Sequence, residues 1–230
     1  GVALPSKYNT EESLVDARLL AENLDIEFKV IEIEEIVNIF RNTLKESVND
    51  ELGPITDENI QSRVRGNILM ALSNQTGAMV VSTGNKSEMA VGYSTLYGDL
   101  AGGFALLKDL YKTEVYNLAN FRNSISSVIP QNTIDKEPSA ELRPDQFDKD
   151  SLPEYELLDE ILRMYIEEDS SSEKIISKGI DENIVYDVLS KVDRNEYKRK
   201  QVAPGVKLTE KAFGKDRRMP ITNTYIRERG

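Results

Sequence analysis

Two stretches hold the residues best suited to chemistry. "STGNKSE" (82–88) closes a short apolar run with three hydroxyls, a glycine, a lysine and a single carboxylate. "LLKDLYKTEVYNLA" (106–119) brings Lys112 to the start of an expected helix, where the free N–H groups and the helix dipole favour an anion. Ser82, Thr83 and Ser87 offer donors, Gly84 allows close backbone approach, and Lys86 offers a point charge. Glu88 suits a hard metal ion or the polar hydrogens of a ligand. An ordinary helix start, with a Ser or Thr cap and Glu88 in the first turn, accounts for the same residues equally well.

The chain has no histidine and no cysteine. Histidine bases, histidine-bound zinc, thiolate metal sites, cysteine nucleophiles and disulfides are therefore excluded within these residues. Carboxylates, lysines, arginines, hydroxyls and backbone donors remain, with Mg²⁺ as the metal that oxygen donors suit. "TGNKS" looks like the end of a Walker phosphate loop, but Asn85 separates Gly84 from Lys86 and the G-x-x-x-x-G-K-[ST] spacing is missing. There is no G-x-G-x-x-G either, which rejects a Rossmann dinucleotide fingerprint.

The elements that must position these residues follow from apolar spacing. "GVALP" reads as the end of a buried strand, and Thr10 caps a helix whose Leu14, Ala17, Ala21 and Leu24 share a face. A strand over 26–33 and a helix over 34–48 come next. Asp57 is the expected cap of a helix ending at Gly77, with a stripe of Ile60, Val64, Ile68, Ala71 and Leu72. Its opposite face carries Asn59, Arg63 and Gly66, where another chain or a ligand could approach. "AMVVS" (78–82) is expected as a short, buried strand, followed by a long glycine-bearing loop, a helix over 112–121 and an irregular polar stretch. Helices over 154–168, 171–178 and 181–195 complete the pattern. This order predicts an α/β fold, a parallel sheet with crossover helices on both faces, and a helical C-terminal portion over about 153–230.

The formal net charge is −11, which argues against general nucleic-acid binding. Residues 191–230 nevertheless carry a net charge of +7, which reads as a solvated face, an RNA-binding arm or a clamp for an anionic ligand. No apolar run reaches the roughly 18 residues of a membrane span. The start lacks a signal-peptide pattern, and a cysteine-free chain fits a cytoplasmic location.

The blocks "ENIQSRVRGNILMALSN", "STGNKSEMAVGYSTLYGDLAGGFALLKDLYKTEVYNLA", "EPSAELRPDQFDKDSLPEYELLDEIL" and "EYKRKQVAPGVKLTEKAFGKDRRMPI" resemble NAD⁺ synthetase, closest to the synthetase portion of the glutamine-dependent form. The resemblance runs in order along nearly the whole chain. It implies an adenine-nucleotide α-hydrolase-like fold of the ATP pyrophosphatase group, read as one synthetase domain over 1–230. The implied reaction is the ATP-dependent amidation of deamido-NAD through an acyl adenylate. It releases pyrophosphate and AMP, with ammonia or glutamine-derived ammonia as nitrogen source and Mg²⁺ as cofactor.

Carried over by position, Asn59, Arg63, Glu88, Tyr93, Ser94, Thr95, Leu96, Asp99 and Lys198 resemble the deamido-NAD contacts. Thr83, Lys112 and Ser139 resemble ATP contacts; Glu88 resembles the Mg²⁺ ligand, and Glu88 with Lys112 the catalytic pair. The family's SGG-x-D-S motif is absent from these residues and is expected just upstream of "GVALPSKY". The expectation is a fragment, N-terminally incomplete, with little ATP-dependent turnover alone. A homodimer and a linked or partnered glutaminase domain are implied by the resemblance only. Another ATP pyrophosphatase ligase, a noncatalytic dinucleotide-binding module and an RNA-binding tail stand as alternatives.

Overall fold

The computed structural model describes residues 1–48 and 50–222. Strand β1 (Val2–Ala3) is followed by α1 (Glu11–Asn23), which returns the chain to β2 (Lys29–Val30). The two strands pair in parallel, Val2 against Lys29 and Ala3 against Val30, as a helical crossover requires. The strand expected over 26–33 is thus shorter than its β-branched pattern. The ladder spacing nevertheless continues, with Ile31 N donating to Ala3 O at 2.9 Å and Ile33 N to Pro5 O at 3.0 Å. On α1, Thr10 caps as expected, but of the anticipated face only Ala21 is buried and Leu24 is exposed.

Helices α2 (Glu34–Val48) and α3 (Pro54–Thr76) pack together. Their buried Val37, Ile60 and Val64 meet Leu4 and Ile33, and Ile68 packs against that cluster. Helix α3 begins one turn before the expected cap. Gly53 is its N-cap, because Pro54 has the fixed φ and missing N–H that suit the first helical position. Asp57 instead accepts both Arg41 Nε at 2.5 Å and Nη2 at 2.9 Å. Gly77 ends the helix with φ of 73°.

Strand β3 (Val81–Ser82) leads into α4 (Lys86–Val91), and β4 (Phe104–Ala105) runs parallel beside β3. The β4 strand lies in the stretch expected to be loop. The strand expected over 78–82 shrinks to two residues, and its predicted burial fails at Met79 and Val81, which are exposed. Then follow α5 (Lys112–Ile125), α6 (Gln131–Asp135), a 3-10 turn over Asp148–Asp150, α7 (Tyr155–Ile166), α8 (Ser172–Ile176), α9 (Glu182–Arg194) and α10 (Glu196–Arg199). The last three expected helices match α7, α8 and α9 to within two residues.

A second core joins Ala90 and Val91 of α4 to Leu158, Ile161 and Leu162 of α7 and Val188, Leu189 and Val192 of α9. Each of the fully buried Val, Leu and Ile side chains among these contributes about 1.5–3 kcal/mol. The basic C-terminal stretch folds back onto this core through Arg199, while Arg194, Lys200, Lys207, Lys215 and Arg218 remain on an exposed face. Arg199, 7% exposed, donates to Ala90 O at 2.8 Å and Val192 O at 2.6 Å. Ala105 N donates to Pro204 O at 2.8 Å, which lays the segment after α10 along β4. The final eight positions of the basic tail lie outside the described residues. Among the described residues no helix is long and apolar enough to cross a membrane.

Candidate functional site

The start of α4 sorts the side chains of "STGNKSE" by direction. Asn85, not a hydroxyl residue, caps the helix: its Oδ1 accepts from Glu88 N at 3.0 Å, while Glu88 Oε2 accepts from Asn85 N at 3.1 Å. This reciprocal capping box fixes the Glu88 carboxylate. Lys86 cannot meet a ligand. Its side chain is fully buried, and its Nζ reaches Glu167 Oε1 at 3.0 Å, Asp109 Oδ1 at 3.1 Å, Thr209 Oγ1 at 2.6 Å and Lys211 O at 3.0 Å. Ser87 is also committed, donating to Asp159 Oδ1 at 2.5 Å and accepting from Lys112 N at 2.9 Å. Ser82 Oγ donates to Asp99 O at 3.2 Å. Thr83 is exposed beside them.

Glu88 meets the first residue of α5. Lys112 Nζ lies 3.2 Å from Glu88 Oε1, with the Tyr155 ring centroid at 5.2 Å and that of Tyr116 at 5.9 Å. Burial pushes the Glu88 carboxyl pKa up, opposed by Lys112 and by the Asn85 N–H. Burial also works against the charge on Lys112, but Glu88 outweighs it and the lysine pKa rises. A cation at a helix N-terminus runs against the helix dipole, so the arrangement favours an additional anion there.

Asp148 belongs to this cluster and was missed in the sequence. It is 6% exposed, accepts from Tyr155 Oη at 2.7 Å, and acts electrostatically on both Glu88 and Lys112. The only signal was its place in a block that resembles the family. Tyr93 lies nearby, its phenol pKa raised by burial and by Asp148.

The second half of the loop is fastened to α3 and α10. Asp99 Oδ1 accepts from Thr95 N at 2.6 Å and Ser62 Oγ at 3.2 Å. Thr95 Oγ1 donates to Asn59 Oδ1 at 2.8 Å, and Arg63 Nε donates to Leu96 O at 3.2 Å. Lys198 Nζ donates to Gly92 O at 2.5 Å and Ser94 O at 2.7 Å. Gly66 provides the close approach expected on this face, but its neighbour is the protein's own loop. A Cβ there would sit 2.8 Å from Gly98 O. Beside this loop a largely apolar groove of about 620 Å³ is lined by Phe40, Leu44, Arg63, Asn67, Tyr97 and Gln201, among others.

The sequence-derived residues Asn59, Arg63, Thr95, Leu96, Asp99, Ser94 and Lys198 are therefore joined in one network, with Glu88 and Lys112 forming the ion pair at the start of α4. Ser139 stands apart in the contacts it makes. Its Oγ accepts from Glu141 N at 3.1 Å, and Glu141 in turn binds Asn9, Thr10 and Ser13 at the start of α1 and Lys136 at the end of α6.

Among the described residues no three His, Cys, Asp or Glu side chains converge as a metal cage. Glu88 has Lys112 on one oxygen and the Asn85 N–H on the other. Each oxygen keeps a second lone pair, so Glu88 is the carboxylate that would meet Mg²⁺ once Lys112 turns away, with substrate phosphates and water as the remaining oxygen donors.

The family model described as NAD synthase matches residues 1–202. Glutamine-dependent NAD(+) synthetase of Aquifex aeolicus is 53% identical over 227 residues, which is 99% of this chain and 40% of that protein. The Thermotoga maritima protein of the same name is 54% identical, covering 98% of this chain and 39% of its own length. Among solved structures, the glutamine-dependent NAD+ synthetase of Acinetobacter baumannii in complex with ADP matches with a TM-score of 0.58 at 47% identity, over 96% of this chain and 39% of that one. The chain thus spans about 40% of the length of these relatives.

Proposed function

This chain belongs to the NAD synthase family, and we propose that it supplies the deamido-NAD surface and part of the ATP site for amidation of deamido-NAD to NAD⁺. The observation that carries this reading is the Glu88–Lys112 pair, held at two helix starts next to a loop stitched to α3 and α10. Residues 1–230 are read as one synthetase domain, cytoplasmic, working as a homodimer and supplied with ammonia directly or from a glutaminase partner.

The first step joins two anions. A nicotinate carboxylate is already ionised at neutral pH, so its attack on the α-phosphorus of ATP needs alignment and charge neutralisation more than a base. Lys112 turns its ammonium from Glu88 toward the phosphates, with Thr83 and Ser139 as further ATP contacts. The P–O bond to the carboxylate forms as pyrophosphate departs. Mg²⁺, held on the protein side by Glu88, would supply further neutralisation of the phosphate charge. Asn59, Arg63, Tyr93, Ser94, Thr95, Leu96 and Asp99 hold the dinucleotide, and Lys198 secures the loop that carries five of them. Ammonia then attacks the acyl carbonyl, the C–N bond forms and AMP leaves with the C–O electrons. Water must be kept out during this interval, since it would hydrolyse the same mixed anhydride.

The test uses the complete gene product with ATP and Mg²⁺, offered deamido-NAD, XMP or tRNA as acceptor and ammonia or glutamine as donor. The expected result is NAD⁺, AMP and pyrophosphate in equal amounts from deamido-NAD alone. Amidation of XMP or modification of tRNA, or saturable deamido-NAD binding with no turnover, would overturn the proposal.

A further inference from the structure

Asp159 lies on α7, and nothing above assigns it a role. It is 3% exposed, yet it organises the starts of two other helices. Its Oδ1 accepts from Ser87 Oγ at 2.5 Å, and its Oδ2 accepts from Thr113 N at 2.9 Å and Thr113 Oγ1 at 2.8 Å. Ser87 Oγ completes the set by accepting from Lys112 N at 2.9 Å. Two otherwise unsatisfied N–H groups at the start of α5 thus find acceptors, one directly on Asp159 and one through Ser87. Ser87 immediately precedes Glu88, and Thr113 immediately follows Lys112.

We infer that Asp159 is a positioning residue that sets the separation of Glu88 and Lys112. The inference rests on the reading of that pair as the site's ion pair. The physical case is geometric. Helices α4 and α5 start 26 positions apart in sequence, and the same buried carboxylate holds both next to their functional residues, α4 through the Ser87 hydroxyl and α5 through the Thr113 N–H and hydroxyl. A carboxylate can accept from three donors in fixed directions, which an amide in its place cannot do, because one of its two positions has become a donor. Burial raises the Asp159 carboxyl pKa, and the hydrogen bonds from Ser87 and Thr113 counter only part of that cost.

Two readouts test this in the complete gene product. The first is structural and independent of activity. In crystals of Asp159→Asn, the Lys112 Nζ to Glu88 Oε1 separation is expected to widen beyond the present 3.2 Å to more than about 4 Å, outside hydrogen-bond range. An unchanged separation would overturn the inference. The second is kinetic. Asp159→Asn should raise KM for ATP and lower kcat, each about tenfold, because misplacement of this order is costly to catalysis. KM for deamido-NAD should rise less than KM for ATP, within about threefold, since of its expected contacts only Glu88 is placed through Asp159, while α3, α10 and Lys198 hold the rest. Combined with Lys112→Ala, the same change should add less than about twofold, as expected for two residues acting through one contact. Additive losses, or equal rises in both KM values, would mark a general structural role and overturn the inference. If Asp159→Asn does not fold, Ser87→Ala removes the acceptor of Lys112 N and should give the same ATP-specific change. A widened pair with no change in ATP kinetics would support Asp159 as the positioning group while removing the catalytic reading of the pair.

Discussion

Lys112 Nζ and Glu88 Oε1 stand 3.2 Å apart, although 24 positions separate the two residues in sequence. Each side chain is held at the first turn of its helix, and each is about four-fifths shielded from water. Replacing Lys112 with methionine keeps an apolar stem against Tyr155 and removes the charge. Glu88 then remains shielded without its partner, at a cost of about 1–3 kcal/mol. Thermal denaturation should show a lowered midpoint, and amidation by the complete gene product should fall about a hundredfold. Wild-type turnover in this variant would remove Lys112 from the proposed chemistry.

Gly66 is the second test, because it separates contact from composition. An added Cβ would lie 2.8 Å from Gly98 O and 2.9 Å from Tyr97 O, both backbone atoms that cannot rotate away. Gly66→Ala should push the 95–99 loop off α3 and cost about 1–3 kcal/mol of stability. The more specific consequence is weaker deamido-NAD binding, measured by calorimetry, with ATP affinity retained. Equal loss of both ligands would assign the effect to the fold as a whole.

Much of the architecture was legible because the responsible forces are local. Thr10, Gly77 and the apolar stripes on α7 and α9 set their helices through capping and periodic burial. Other features depend on what the chain meets later. Strand 26–33 has a β pattern, but β1 supplies partners for only part of it. Pro54 marked the true start of α3, whereas Asp57 was drawn away by Arg41. Lys86 and Glu88 stand two residues apart on a helix, about 200° around its axis, so both could not face one ligand. That geometry was available from the spacing once α4 was placed. Asp148 was not, since its approach to Glu88 depends on the long-range return of the chain at the turn before α7.

Acid sensitivity should arise at Glu141. Burial disfavours the charge of Glu141, but hydrogen bonds from Lys136, Ser13 and Asn9 outweigh it and hold the carboxyl pKa at about 2, below its ordinary 4.5. A depressed folded-state value means that the ionised carboxylate stabilises the fold above the unfolded pKa. That contribution should fade as pH falls from about 4.5 toward about 2. Urea unfolding across this window should show a smaller pH dependence in Glu141→Gln than in the parent. Identical slopes would show that Glu141 does not contribute to acid denaturation.

Lys86 is the final test, and it turns on a charge that the sequence offers to a ligand but the fold uses itself. Its ammonium sits among Asp109, Glu167 and Thr209, and Asp109 also accepts from Leu208 N and Thr209 N at 2.7 Å each. The lysine therefore ties the start of α4 to the returning C-terminal segment. Lys86→Met would fill similar volume while leaving two carboxylates without their cation, and removing one partner of a buried pair costs about 3–5 kcal/mol. Denaturant titration should show a loss of that order, and limited proteolysis should cut first within 203–213. At temperatures where the variant remains folded, its ATP affinity should match the parent. A selective loss of ATP binding with unchanged stability would instead place Lys86 at the ligand.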